Sequence, residues 1–443
     1  MLNPIMLETA QMLEQHPIIY EKESYKCKYI NVLEYFVQKY SKDDLWARET
    51  LQLYIKKILG RIESYQYKNF DLHNDSKSVL ATKFRPFKFF SYRYCLIYDC
   101  IFLCAYENRK KAEQIFSELS SIYHIRYQKK IRQVFESLYN PDDSLDEIEQ
   151  IRDMQYCWNK NREFIQKKPF KVIITANMSA GKSTLLNAFV GKKVNKTQND
   201  ACTAKVHKIV NKPYEDGFCY EWDYLLELDA DEHTLLEDNS DNNSFQITVG
   251  TFFRTLQEEP KRIWLIDTPG VNSSQNLEHK ILTEKTICET DANVLIYLLN
   301  GENIGTDDDR RYLQYISEYY HGELLFVVNK VDRFRKNEDN IGKTIQAVIS
   351  DLKEIGFQTP TVVPVSAYAA YLAKMKVFGE NLNDDEQDEY DLMSRKMKKT
   401  EYQLEQYYPK NIKNNVHIDC TKDSDQLLLH SGLLHLEYMI YNL

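Results

Sequence analysis

The sequence predicts an α/β domain, a mainly parallel sheet flanked by helices, preceded by an all-α domain. Apolar residues follow helical spacing almost throughout the first 165 residues. Apolar runs typical of buried strands then begin at Lys171, Lys261, Glu323 and Thr361. Each run ends in a short polar or small-residue motif, which is where ligands bind in open parallel sheets.

The N-terminal helical domain is expected to span residues 1–165. Its first apolar stripe lies at Ile30–Val37, and the second, at Leu45–Ile58, follows the capping signal Ser41-Lys-Asp-Asp. Further helices are predicted at 88–107, at 109–139 and, after the break at Asn140–Ser144, at 144–165. The last of these leads directly into the second domain, at residues 166–443.

Composition limits the classes of protein that this chain can be. Residues 1–168 hold 27 basic and 23 acidic residues, whereas the remainder holds 30 and 43, so the second domain is strongly acidic. Such a surface disfavours nucleic-acid binding. The acidic run at 383–389 and the basic run at 395–399 predict a charged, exposed insertion within 376–425.

Cysteine usage and hydropathy indicate a cytoplasmic protein. The nine cysteines include no Cys-x-x-Cys pair, so a zinc site is not expected. Cys95, Cys100 and Cys104 lie on an apolar helix and are predicted to be buried thiols. No signal peptide is recognisable, and the apolar run 95–105 is too short to span a membrane and contains Asp99. We therefore expect a cytoplasmic protein that is at most peripheral to a membrane.

The first strand ends in a phosphate-binding loop, Ala176-x-x-x-x-Gly181-Lys182-Ser183. Small residues allow backbone N–H groups to converge on phosphate oxygens, and the helix that follows adds positive potential. Lys182 would reach the β- and γ-phosphates, and the Ser183 hydroxyl would bind Mg²⁺. The predicted nucleotide-binding residues here are Asn177, Met178, Ser179, Ala180, Gly181, Lys182, Ser183 and Thr184.

The next strand ends in Asp267-Thr-Pro-Gly270. An acid at this position is expected to face the nucleotide-bound Mg²⁺ through water. The Gly270 N–H would contact the γ-phosphate and release it after cleavage, so this turn would respond to the state of the nucleotide.

The last two strands end in motifs that suit a guanine base. In Asn329-Lys330-Val-Asp332, the Asp332 carboxylate can accept two N–H bonds from guanine, which adenine does not offer. Asn329 would brace the pocket and the Lys330 stem would cover one face of the base. Ser366-Ala367 would supply a backbone N–H to guanine O6. Each motif alone is ordinary, and it is their order and placement on separate strands that indicate GTP and GDP as ligands.

The motif details resemble the dynamin superfamily of GTPases, especially its bacterial members. Ser179-Ala-Gly-Lys-Ser-Thr-x-x-Asn187-Ala188 is similar to the phosphate-loop pattern of that group. The resemblance, over residues 168–443, implies GTP hydrolysis with Lys182, Ser179 and Thr203 as catalytic residues. It implies Thr203 as a second Mg²⁺ ligand beside Ser183, a monovalent cation (K⁺ or Na⁺), and activation when two G domains dimerise. It further implies that the helix before the first strand transmits movement to the helical domain.

The sequence departs from the family at several positions. Ala176 replaces a glycine and is tolerable where φ is negative. Met178 stands where eukaryotic members have a catalytic glutamine, and Val271 follows Gly270, so no water-orienting glutamine is present. The expected closing helix of the G domain lies at Ser431–Leu443. We therefore expect the usual C-terminal helical trunk to be lacking.

Two alternatives to a self-activating GTPase remain open. The chain is in one case a GTP-dependent switch or scaffold whose helical domain binds a partner protein. In the other it remodels membranes, with the basic and aromatic stretch Lys83–Arg93 as the candidate contact. We prefer to interpret that stretch as an amphipathic packing segment.

Overall fold

The protein is described by a computed structural model at residues 13, 16–60, 92–140, 149–177, 179–195, 205–215, 217–223, 225–231, 234–235, 246–255, 261–269, 277–335 and 339–443. Among the predicted site residues, Met178, Thr203 and Gly270 lie outside the described residues, as do 83–91 of the candidate membrane stretch. The chain divides into two compact units. The first comprises Met1–Lys168 with Pro213–Tyr220 and Leu225–Asp229, and the second comprises the rest.

The described part of the first unit is mainly helical, as the apolar spacing predicted. Its helices are α1 (Glu23–Tyr40), α2 (Leu45–Leu59), α3 (Arg93–Ala105), α4 (Arg109–Ser121), α5 (Ile125–Ser137) and α6 (Glu149–Gln166), with a 3₁₀ turn at Pro17–Tyr20. Asp44 caps α2 by accepting the N–H groups of Trp46 and Ala47 at 3.0 and 3.3 Å.

The single helix predicted at 109–139 is wrong, because the chain forms α4 and α5 there. The break is at His124, whose backbone is extended and whose ring Nδ1 accepts the Arg126 N–H at 3.3 Å. His124 thus caps a new helix, and the apolar spacing continues across the break because both helices bury their apolar faces in the same unit.

The core of the first unit contains a buried acid with a complete set of partners. The Asp99 carboxylate accepts the hydroxyls of Tyr29 and Tyr54 at 2.5 and 2.9 Å. His16 Nε2 lies 3.0 Å away and donates to Asp99, because His16 Nδ1 accepts the Ile18 N–H. Burial raises the pKa of Tyr29 well above its ordinary value, which keeps that hydroxyl protonated as a donor. Asp99 is therefore a satisfied structural group.

Cys95, Cys100 and Cys104, the predicted buried thiols, lie on α3 as Asp99 does, and all three are buried. Burial raises the pKa of the Cys104 thiol to about 12. Within the part of the chain that the structure describes, no helix has the length and apolar character to cross a membrane.

The second unit is built on a mainly parallel sheet. The strands along the described chain are β1 (Phe170–Ala176), β2 (Val206–Asn211), β3 (Tyr220–Trp222), β4 (Leu226–Glu227), β5 (Gln246–Thr251), β6 (Ile263–Asp267), β7 (Val294–Asn300), β8 (Glu323–Asn329) and β9 (Thr361–Pro364). The order through the main part of the sheet is β5-β2-β6-β1-β7-β8-β9. Neighbouring strands there are parallel, except that β2 and β6 are antiparallel.

Helices join these strands and complete the predicted α/β class. They are α7 (Lys182–Val190), α8 (Leu277–Glu289), α9 (Asp307–Tyr319), α10 (Ile341–Ile355), α11 (Ala367–Val377), α12 (Asp384–Met397), α13 (Lys410–Lys413), α14 (Asp423–His430) and α15 (Leu433–Tyr441). Short 3₁₀ turns lie at Val331–Arg333, Thr400–Tyr402 and Leu404–Tyr407.

The charged segment predicted as an exposed insertion contains α12. Its first turn is acidic, is exposed and carries a capping box between Asn383 and Glu386. The helix nevertheless buries Tyr390, Met393 and Met397 and packs on α11 and α14. The charges in 383–399 are thus the solvent face and ends of an amphipathic helix, which the charge runs alone did not indicate.

Parallel pairing brings the carboxyl ends of the motif-bearing strands to one edge of the sheet. Ile174 of β1 is the register partner of Asp267, so the phosphate loop begins beside the acid of β6. Asn300 of β7 is the partner of Asn329, and β9 pairs with β8 up to Pro364, two residues before Ser366. The four motifs therefore share one edge, where parallel sheets bind ligands.

The C-terminal end of the phosphate-loop helix α7 is held by buried and half-buried cations. The Lys374 ammonium of α11 is fully buried, donates to the Phe189 carbonyl at 2.8 Å and pairs with Glu437 of α15 at 2.5 Å. Arg254 donates to the Gly191 carbonyl at 3.1 Å. Both cations satisfy carbonyls at the negative end of the helix, and they fix α7 from the end opposite the phosphate site.

Lys374→Met should destabilise the protein by about 3–5 kcal/mol, because it leaves the Glu437 carboxylate buried without its cation. The double variant Lys374→Met with Glu437→Leu should recover most of that loss, since no uncompensated charge remains. Urea unfolding of the two variants and the parent measures both effects. A double variant no more stable than Lys374→Met would contradict this account of the pair.

Candidate nucleotide-binding site

The phosphate loop leaves β1 with a strained backbone. Ala176 is the last residue of β1, and among the described non-glycine residues only Ser179 (φ 59°) and Lys330 (φ 63°) have a positive φ. Ala176 is therefore compatible with its position, because the left-handed conformation falls on Ser179 instead. Such strain concentrates at functional sites, and both strained residues lie in predicted ligand motifs.

Gly181 is required by its conformation and by a close neighbour. Its φ is 91°, and a Cβ at this position would lie 2.5 Å from Asn329 Nδ2. The space is taken because Asn329 Nδ2 donates to the Ala180 carbonyl at 2.8 Å. The Ala367 N–H donates to Asn329 Oδ1 at 3.0 Å, so one amide group joins the phosphate loop, β8 and the turn after β9.

The guanine motif is assembled around Asp332, which is 6% exposed. The Ser366 hydroxyl donates to Asp332 Oδ1 at 2.6 Å and orients the carboxylate. The N–H groups of Ser366 and Ala367 both have protein partners in the structure, and the expected N–H bond to guanine O6 stays a prediction. The Ser366 N–H donates to the Ser431 carbonyl at 3.0 Å, and the Ala367 N–H is the one held by Asn329. Ser366 and Ala367 thus shape the site through Asp332 and Asn329.

A cavity of about 590 Å³ lies beside the guanine motif and the last part of the phosphate loop, a volume in the usual range for small-molecule ligands. Its walls include residues of the phosphate loop and of the guanine motif together with residues that the sequence did not indicate. They are Gly181, Thr184, Asn329, Lys330, Asp332, Arg333, Tyr368, Glu389, Leu392, Met393 and Lys396.

Asp267 offers an incompletely satisfied carboxylate beside the phosphate loop. Its Oδ2 accepts the Asn195 side-chain N–H at 3.1 Å, whereas its buried Oδ1 has no hydrogen-bond partner among the described residues. Burial raises the pKa of Asp267 to about 6, although the Lys182 ammonium and Asn195 both act to lower it. Burial lowers the pKa of Lys182, and Asp267 opposes that change.

These residues fit a bound Mg²⁺. A buried carboxylate oxygen without a partner is costly unless a ligand compensates it, and oxygen donors such as carboxylate and the Ser183 hydroxyl are those that Mg²⁺ prefers. The ion would be held by Ser183, with Asp267 behind it through water. The further predicted ligand, Thr203, lies outside the described residues.

Asn187 and Asn195 are functional candidates whose roles the sequence did not reveal. The fully buried Asn187 side chain on α7 accepts the N–H groups of Val194 and Asn195 at 3.0 and 2.9 Å and donates to the Asn195 carbonyl at 2.9 Å. Asn195 in turn holds Asp267. The segment leading towards Thr203 is thereby tied to α7 and to the acid. The only earlier signal was the position of Asn187 in the phosphate-loop pattern.

A second group of polar residues braces the start of the phosphate loop. Asn177 donates through Nδ2 to Asp309, an acid in the first turn of α9 that is buried. The Tyr297 hydroxyl and the Thr306 hydroxyl also donate to Asp309, at 2.8 and 3.0 Å. Asn177 therefore contributes to loop position through α9, a contact across 132 residues that the local motif did not predict.

Asp267→Asn should stabilise the ligand-free protein at neutral pH. The folded-state pKa of about 6 lies above the ordinary 3.8, so the cost of the charge is absent below pH 3.8, grows as pH rises to 6 and is complete above it. One pKa unit corresponds to about 1.4 kcal/mol, so the gain is on the order of 3 kcal/mol at pH 7.5 and small at pH 4.

Urea unfolding without Mg²⁺ at both pH values measures this gain. Asp388→Asn, an exposed position of α12, is the control and should show no pH-dependent change. If Asp267→Asn is less stable than the parent at pH 7.5, the ionised Asp267 carboxylate does not destabilise the ligand-free protein.

The comparisons with known proteins agree with the motif order. Residues 172–331 match the model of the Dynamin family. An uncharacterized protein in the xynA 3' region of Caldicellulosiruptor sp. (strain Rt8B.4) is 27% identical over 48% of this chain and 53% of its own length. The bacterial dynamin-like protein of Nostoc punctiforme is 23% identical over 39% of this chain and 26% of its own length.

Among solved structures, an oligomerised bacterial dynamin pair, described as a mechanism for long-range sensing and tethering of membranes, matches 96% of this chain and 61% of its own. Its TM-score is 0.37 and its identity 16%. The chain spans about half (53%) of the length of the Caldicellulosiruptor protein and about a quarter (26%) of the length of the Nostoc punctiforme protein. The match identifies residues 172–331, whose motifs lie in order along one sheet edge, as a GTPase domain of the dynamin family.

Proposed function

We propose that this chain binds GTP with Mg²⁺ and hydrolyses it to GDP and phosphate. The observation that supports this most directly is the single cavity of about 590 Å³, because residues of the phosphate loop and of the guanine motif line it together. Gly181 and Thr184 belong to the phosphate loop and its helix, and Asn329, Lys330 and Asp332 belong to the guanine motif. A nucleoside triphosphate has an aromatic base and a phosphate chain at opposite ends, and it would occupy both parts.

At the base end, recognition would depend on Asp332. Its carboxylate would accept the N1 and N2 hydrogens of guanine, a pair that adenine lacks. The Ser366 hydroxyl, at 2.6 Å from Asp332 Oδ1, orients the carboxylate before the base arrives. Such preorganisation limits the free energy lost on ordering the site.

At the phosphate end, Lys182 and the N–H groups of the phosphate loop would neutralise the charge that develops on the phosphates. When bound, Mg²⁺ would supply positive charge beside the β- and γ-phosphates. Ser179, held in its left-handed conformation (φ 59°), would help to position the attacking water and a K⁺ or Na⁺ ion, as the family resemblance implies. Thr203 would be the second hydroxyl ligand of Mg²⁺.

We also infer that the nucleotide state is coupled to the helical unit and to a second copy of the chain. In sequence, three residues, 167–169, separate the end of α6 from the start of β1, and β1 ends in the phosphate loop. Movement of the loop would therefore have a short covalent route to α6. Because no glutamine follows Gly270, a single G domain should be slow, and a facing G domain would complete the site.

Lys182→Ala should reduce GTP turnover by about 10²-fold or more, because the cation that stabilises the transferred phosphoryl group is lost. Affinity for GTP should fall as well, since the same ammonium contacts the bound phosphates. Phosphate release measured with GTP and Mg²⁺ tests the first effect and calorimetry the second. Lys353→Ala, an exposed lysine of α10, is the control. Binding without turnover in the parent would instead favour the switch or scaffold function.

GTP turnover per molecule should rise with protein concentration and level off as the G domains pair. Turnover and particle mass are measured together over a wide concentration range, with and without a transition-state analogue. If turnover per molecule does not change with protein concentration and the particle mass remains that of one chain, activation by dimerisation is refuted. The proposed GTP hydrolysis is not affected by that result. An obligate partner protein that co-purifies, with no self-association on GTP, would favour the scaffold function.

A further inference from the structure

Helix α12, which belongs to none of the four motifs, forms one wall of the nucleotide cavity. Glu389, Leu392, Met393 and Lys396 line the cavity, and their spacing of three and four residues puts them on one face of the helix. Leu392 is 51% exposed, which places a large, accessible apolar side chain on the cavity wall beside Met393.

The rest of α12 holds this wall in place. Tyr390, Ser394 and Met397 are buried, and the helix packs on α11 and α14. Its N-terminus is fixed by the capping box of Asn383 and Glu386. The face towards the cavity is therefore part of a packed element, which positions functional side chains more accurately than a free loop.

Lys396 connects this wall to the guanine motif. Its ammonium donates to the carbonyl of Asp332 itself and to the Phe334 carbonyl, the latter at 2.8 Å. The Tyr402 hydroxyl donates to the same Phe334 carbonyl at 2.9 Å, and its ring centroid lies 4.6 Å from Lys396 Nζ. The short turn Val331–Arg333, which presents the Asp332 carboxylate, is thus held by two donors from outside the motif.

The turn needs such support because its own backbone is strained and its carboxylate must be accurately placed. Lys330, which enters the turn, has a φ of 63°, a conformation that costs on the order of 1 kcal/mol or more for a residue with a side chain. Burial lowers the pKa of Lys396 and Asp332 raises it, so the two charges favour each other. Two hydrogen bonds from one ammonium would keep the turn in the conformation that can accept two bonds from the base.

We propose that Lys396 is a positioning residue for base recognition, holding the Asp332 turn so that its carboxylate selects guanine, while Leu392 on the same face of α12 covers the bound nucleoside. The proposal rests on the proposed binding of GTP and GDP, and it adds the element that sets base specificity. Lys396 does not touch the base in this scheme and acts through Asp332.

The test compares GDP with inosine diphosphate, which lacks the 2-amino group and so loses one of the two bonds to Asp332. In the parent, inosine diphosphate should bind about tenfold more weakly than GDP, the value of one hydrogen bond to a charged group. In Lys396→Met, GDP binding should weaken towards that of inosine diphosphate. The ratio of the two dissociation constants, inosine diphosphate over GDP, should fall to about twofold. Calorimetry with each diphosphate and Mg²⁺ measures the ratio.

Three further variants make the result specific. Arg395→Met removes the neighbouring cation of the same helix turn, whose one hydrogen bond among the described residues is to the Asp391 carbonyl within α12. This variant should leave the ratio of the two dissociation constants unchanged. Asp332→Ala removes the carboxylate and should abolish the ratio. Lys396→Gln is neutral and shorter, and it replaces the methionine variant if urea unfolding shows that variant to be unfolded; its ratio should narrow as well.

A parent that binds neither diphosphate would refute the proposed function and this inference with it. A parent that binds GDP while the folded Lys396 variants keep the full tenfold ratio would refute the inference alone. Equal weakening of both diphosphates would likewise overturn it, because it would indicate that Lys396 only stabilises the fold.

Discussion

The side-chain amide of Asn329 is the interaction on which the site depends. It donates to the Ala180 carbonyl in the phosphate loop and accepts the Ala367 N–H in the turn after β9, and it is almost completely buried. Motifs that are 149 and 38 residues away from it in sequence therefore have fixed relative positions. The requirement for glycine at 181 follows from the same contact, since any Cβ there would occupy the place of the amide.

The charged groups in the interior of this molecule differ in whether they have close polar partners. Asp99 in the helical unit, and Lys374 with Glu437 behind α7, have close partners and can be understood as structural groups. Asp267 instead has one carboxylate oxygen without a hydrogen-bond partner among the described residues, and burial moves the pKa of Asp267 and of nearby Lys182 towards the neutral form. An unsatisfied site of this kind lowers the stability of the ligand-free protein and is expected where a ligand supplies the missing charge.

The sequence was informative where a motif and its secondary structure are local. The strand, turn and helix around Gly181 and the acids at 267 and 332 could be placed on one sheet edge because apolar runs precede them and parallel strands align their ends. The Lys396 contact to the Asp332 carbonyl spans 64 residues, and a lysine in a charged run is common. Nothing local distinguished it from a solvated side chain.

Other errors have similarly physical causes. Apolar spacing continued through His124, so the break between α4 and α5 was visible only in the capping bond of its ring. The bond from the Ala367 N–H to Asn329 was likewise not indicated by the sequence, because it follows from the packing of β8 beside β9. In each case tertiary contacts decided between local alternatives that the sequence left equal.

One guanine nucleotide should occupy the site, with its base at Asp332 and its phosphates at Lys182. A crystal structure of the chain grown with GDP and Mg²⁺ tests it directly. The account predicts electron density for the base within hydrogen-bond distance of the Asp332 carboxylate, for the β-phosphate beside Lys182, and for the metal at Ser183. Nucleotide density with the base away from Asp332, or at another place on the molecule, would contradict it.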